Sequence, residues 1–158
     1  MTLRSKKKPK ATKKKRSTAK HAGVSRVVTL LDQIGPEFLE AGARRISATD
    51  VRRVVARAGD VRDVFRRHKD LTRLADQADR MLSLLADHAT GQYVNVPIWS
   101  VAVMTFGLLY VLKPIDIIPD ALPEIGRLDD ALVVSHAVGL TRIDLQNYKV
   151  WRLAADIK

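Results

Sequence analysis

The chain has 158 residues, room for one domain with an appended arm. It has no cysteine, which excludes a disulfide framework and any thiolate metal site and fits a reducing compartment; aromatics are 5%, so the core must be aliphatic. The net charge of +11 is local: Met1–Leu31 holds eleven of the 28 basic residues and no acid, leaving 17 basic against 17 acidic side chains elsewhere.

Residues Met1 to about Gly23 are rich in Lys, Thr, Ser and Ala. Such a segment buries too little apolar surface to offset chain entropy, and a disordered basic tail is expected. Its cations Lys6, Lys7, Lys8, Lys10, Lys13, Lys14, Lys15, Arg16 and Lys20 are the candidate polyanion-binding residues. No secretory leader follows, because the one apolar stretch after them, Val24–Leu31, is short and interrupted by Arg26, so export is not expected.

An amphipathic helical region is expected over 24–89. Val24–Gln33 and Glu37–Ala43 form two short helices parted by Gly35-Pro36. Ser47 and Asp50 have capping-box spacing, and Ile46 and Val51 stand where a hydrophobic staple would. Apolar residues then recur every three or four positions at Val51, Val54, Ala58, Val61 and Phe65, and again from Leu71 to Ala89. The rhythm breaks around His68-Lys69-Asp70, which predicts a kink or turn, with Gly59 a second weak point. The faces opposite carry Arg52, Arg53, Arg57, Arg66, Arg67, Arg73 and Arg80, either a solvated surface or a docking surface for lipid or nucleic acid.

Residues 90–158 form the third region. Ala89–Leu112 contains no charge. Pro97 suits a first helical turn, and Lys113-Pro114 ends the helix. Pro97–Leu112 would span roughly 24 Å at 1.5 Å per residue, short of a hydrocarbon core of about 30 Å. Tyr93, Trp99 and Tyr110 lie near its ends, where interfacial aromatics sit. A second apolar stretch, Ala131–Leu140, is half that of a membrane span, and Thr141–Lys158 is amphipathic with Leu145, Tyr148, Trp151 and Leu153.

The segment between the apolar stretches is the most distinctive. Tyr110, Pro114, Ile115, Asp116, Ile118, Pro119, Asp120, Pro123, Gly126, Leu128, Asp129 and Asp130 alternate prolines and aspartates with aliphatics. Aspartates beside such turns serve as caps or Asx-turns, and Asp129 or Asp130 is expected to cap the next helix. Gly126 would supply a positive φ. This pattern closely resembles that of the YkvA-like family, domain of unknown function 1232. The likeness covers about Val96–Leu140, extends on to Trp151, and leaves out the tail; Lys113 and Arg127 fall at its variable positions. It implies an all-α, membrane-associated domain built on an apolar helical hairpin, with Tyr110, Pro114, Asp116, Pro119, Asp120, Gly126, Asp129 and Asp130 as structural motif residues. It brings no catalytic residue, substrate or cofactor.

Two readings of the hairpin compete: a membrane hairpin, and the core of a soluble bundle. Basic residues flank it on both outer sides, with two in the turn, which favours a transmembrane reading with both termini cytoplasmic. The tail would bind anionic lipid or, alternatively, nucleic acid through phosphate, without reading sequence. Asp116, Asp120, Asp129 and Asp130, joined by His136, would make a metal site only if the turn folds back. No P-loop, nucleophile elbow or zinc-protease motif is present, and no enzyme, cofactor or small-molecule substrate is expected. The expected function is a membrane-associated accessory or scaffold protein; the alternative is a soluble bundle whose arm binds DNA or RNA.

Overall fold

The computed structural model describes residue 23, residues 25–112 and residues 127–156. Among these the architecture is all-α, and no strand occurs. Residues 25–31 are helical. They are followed by α1 (Pro36–Ala43), α2 (Ala48–Ala56), α3 (Ala58–Arg67), α4 (Lys69–Thr72), α5 (Ala75–Ala89), α6 (Ile98–Leu112), α7 (Leu128–Leu140) and α8 (Arg142–Asp156).

Local chemistry places most boundaries where the sequence puts them. Pro36 opens α1, where its missing N–H costs nothing. At α2 the expected capping box forms: the Asp50 N–H donates to Ser47 Oγ at 3.3 Å, and the Ser47 N–H donates to Asp50 Oδ2 at 2.9 Å. Ile46 and Val51 both join the core there. His68 is extended and separates α3 from α4, as the broken rhythm predicts. The other interruption falls at Arg57, two residues before Gly59. α5 ends in a Schellman motif: Gly91, at φ +76, donates its N–H to His88, and Gln92 donates to the Asp87 carbonyl at 2.8 Å. α7 begins at Leu128, so it includes Asp129 and Asp130, one of which was expected to cap it.

α6 is the centre of the bundle. Val101, Val103, Met104, Thr105 and Leu108 are each at most 1% exposed, and α1, α2, α3, α5 and α7 all pack on it. It forms an antiparallel hairpin with α7, close enough that a Cβ on Gly107 would lie 3.0 Å from that of Ala137. α1 covers another side, with the Phe38 ring 5.6 Å from Phe106 and 5.8 Å from Tyr110. The expected transmembrane helix is therefore corrected. Among the described residues no helix is long and apolar enough to cross a membrane. α6 has 15 residues, about 22 Å at 1.5 Å per residue, and its lack of charge reflects burial against other helices. One residue of α8 also departs from expectation: Leu145 and Tyr148 are buried, but Leu153 turns outward.

Candidate functional site

The motif residues that the structure describes meet at the end of the hairpin. Tyr110 lies in the last turn of α6, and Asp129 and Asp130 in the first turn of α7. Both aspartates are nearly inaccessible, at 2% and 1%. They were expected as caps. Instead Asp129 Oδ2 accepts the Tyr110 hydroxyl at 3.2 Å, and Asp130 Oδ2 accepts the Arg127 guanidinium at 2.9 Å. The α7 N-terminus favours carboxylates in its first turn, and buried charges need such partners. Arg127 also donates to the Val111 carbonyl at 3.2 Å, so it spans from the end of α6 to the start of α7. Its backbone N–H reaches Asp70 of α4 at 3.4 Å. Beside this group, burial, then Arg127 and Arg67, hold His68 below its ordinary value of 6.5. The arrangement clasps the end of α6 to the start of α7. Pro114, Asp116, Pro119, Asp120 and Gly126 lie outside the described residues, as do the tail cations Lys6 to Lys20. Among the described residues no three potential ligands gather for a metal; Asp129, Asp130 and His136 do not form such a group.

The other end of the hairpin carries a second polar junction that the sequence did not expose. Asp87 Oδ2 accepts both the Tyr148 hydroxyl and Arg152 Nη1, each at 2.6 Å, linking α5 to α8. Burial and the Asp87 hydrogen bond push the Tyr148 phenol well above its ordinary value. Tyr93, Tyr148 and Trp151 cluster around it with ring centres 5.0 to 5.7 Å apart, Tyr148 stacked on Trp151 and Tyr93 edge-on to Tyr148. Nearby, Ser100 donates to Asp144 at 2.6 Å, pinning the start of α6 to the start of α8. One sequence sign of Asp87 exists. An acid in the last turn of a helix opposes the dipole, so its presence there calls for a partner.

These contacts gather apolar side chains on the surface. Val94, Ile98, Trp99 and Ile143 flank the Ser100–Asp144 bond in sequence and are 40–76% exposed. Val150 and Leu153 continue the exposed apolar line along α8. The geometry offers no nucleophile–base pair among the described contacts; it provides two clasps and an exposed apolar end.

The fold and the clasp define a small all-α protein organised around a buried apolar hairpin. Residues 100–135 match the family described as "Protein of unknown function (DUF1232)". A relative from Bacillus subtilis (strain 168), named "Uncharacterized membrane protein YkvA", is 34% identical over 70 residues, which is 44% of this chain and 66% of that protein. The chain is a YkvA-like member of the DUF1232 family, and the matched stretch spans about two thirds of that relative. No solved structure matches.

Proposed function

We propose that this protein is a membrane-associated accessory or scaffold protein that works at the cytoplasmic face of a bilayer, without catalysis. The carrying observation is the exposed apolar end of the bundle, Val94, Ile98, Trp99 and Ile143, next to a stretch without charge. Tryptophan and aliphatic side chains in such a setting partition into the membrane–water interface. The membrane designation of the Bacillus relative supports the reading. The eleven cations of Met1–Leu31 would add attraction to anionic lipid, about 1 kcal/mol for each one near the surface. Both termini would then face the cytoplasm.

Extraction tests this. The protein should sediment with membranes, leave them in alkaline carbonate, and be retained less well when residues 1–23 are removed. Resistance to carbonate would replace surface association with integration; absence from the membrane fraction would overturn the reading. A second reading is favoured by Arg52, Arg66 and Arg73, which have no ion-pair partner among the described residues. With the arm, they would bind DNA or RNA through phosphate alone. Release from membranes by duplex DNA at constant ionic strength would favour it.

A further inference from the structure

A cleft of about 270 Å³ lies between α5 and α8, lined by Gln77, Arg80, Arg142, Gln146 and Lys149 over a floor that includes Leu145. Three cations line it and no acid does. None of the three has an ion-pair partner among the described residues, although most other arginines near an acid are paired. Arg80 and Lys149 also line the neighbouring groove, where Asp76 and Asp79 stand; Arg62 holds Asp79 at 2.6 Å, so Asp76 is the one acid there without an ion-pair partner among the described residues, and Arg142 has no acid in either lining. At the cleft the Gln77 side-chain oxygen is buried without a hydrogen-bond partner. The cleft thus sets three cations, none with an ion-pair partner among the described residues, around one concavity with the Gln146 amide beside them, an arrangement suited to a phosphate group.

The surface beside it decides which phosphate. Ile143 and Val150 are seven residues apart, so they share one face of α8, and they are 69% and 65% exposed. Arg142 and Lys149, also seven apart, form a parallel row one residue round the helix. A row of cations next to a row of aliphatics matches the edge of a bilayer, where headgroup and acyl chain meet. A nucleic-acid backbone would satisfy the cations and leave the aliphatics in water. We infer that the α5–α8 cleft binds the phosphate of an anionic phospholipid while Ile143 and Val150 enter the acyl region. The inference rests on the membrane reading above and names the lipid class and the residues that take it.

The test uses full-length protein and flotation with vesicles of phosphatidylcholine, alone or mixed with phosphatidylglycerol. The parent should bind the mixed vesicles. Arg142→Gln with Lys149→Gln should weaken that binding about tenfold or more, from about 1 kcal/mol for each cation. Ile143→Ser with Val150→Ser should weaken it as well. The charge-matched control, Arg44→Gln with Arg66→Gln, removes two exposed cations away from the cleft and should cost distinctly less. All these side chains are exposed, so circular dichroism should show parent-like folding. Equal losses in the cleft and control variants would overturn the cleft site while leaving the membrane reading intact. Failure of the parent to bind any vesicle would overturn both. Binding to duplex DNA that falls in the cleft variant, with vesicle binding unaffected by it, would reassign the cleft to nucleic acid and overturn the lipid site.

Discussion

Tyr148 donates its hydroxyl to Asp87 at 2.6 Å across 61 residues of sequence, and the bond fastens the last helix to the core. Arg152 reaches the same carboxylate oxygen, but its side chain is half exposed where Tyr148 is buried. The two should therefore differ in weight. Tyr148→Phe keeps the ring packing and removes one bond to a charged acceptor, a loss of about 1.5–3 kcal/mol. Arg152→Gln gives up a solvent-screened contact and should cost less than the loss of the phenol. Urea denaturation of the full chain measures both; an Arg152 loss exceeding that of Tyr148 would mean that Asp87 depends on charge compensation more than on the buried phenol.

Two glycines on helices should respond in opposite directions. A Cβ on Gly42 would lie 2.3 Å from the Phe106 ring, so Gly42→Ala must displace α1 from α6 or turn the ring out. The expected cost is about 1–3 kcal/mol. Gly59 in α3 has nothing within 4 Å, so Gly59→Ala should stabilise by about 0.4–1 kcal/mol. Thermal unfolding of the two variants gives the comparison, and destabilisation by both would argue against the α1–α6 contact as the cause.

What could be seen in the sequence was what depends on near neighbours. Ser47 and Asp50 are three residues apart, so their capping box needs no knowledge of the fold. The break at His68 and the extent of α6 are local for the same reason. The destination of α6 was not legible, because an uncharged helix is equally suited to lipid and to a protein interior; the five helices packed on it decide the matter. Nor could Asp87 be matched with Tyr148, or Asp129 with Tyr110, since partners 61 and 19 residues away are chosen by the packing. Leu153 illustrates the same limit: amphipathic spacing placed it with Tyr148, and the turn of α8 points it to solvent.

His68 should give stability an acid-sensitive component. Its imidazole ordinarily titrates at 6.5, and burial, with Arg127 and Arg67 nearby, lowers that value in the folded chain. As pH falls below 6.5 the unfolded chain takes up the proton first, so stability present above that pH is lost as pH drops through the lowered folded value. His68→Gln should flatten this part of the profile. The check is the difference between parent and variant in urea midpoint at pH 7.5 and pH 5.5; an unchanged difference would dissociate His68 from the acid response.

The motif aspartates should no longer behave as a pair. A capping role would make asparagine nearly harmless at both positions, because an amide oxygen still accepts a backbone bond. Their partners among the described residues include side chains that differ in charge. Asp129 receives a neutral phenol from Tyr110, and asparagine can accept that bond too, so Asp129→Asn should cost under about 1 kcal/mol. Asp130 faces the Arg127 guanidinium at 2.9 Å, with the carboxylate buried and the arginine about one third exposed. Asp130→Asn leaves that cation beside a neutral amide at the point where Arg127 also holds the Val111 carbonyl, and should cost about 1–3 kcal/mol. The double change Asp130→Asn with Arg127→Gln removes both charges and should recover part of the loss, which a cap at Asp130 would not allow. Denaturation midpoints of the two single variants and the double variant separate the cases. Equal, small effects at 129 and 130 with no recovery in the double variant would restore the capping account and remove the Arg127 clasp as the link between α6 and α7.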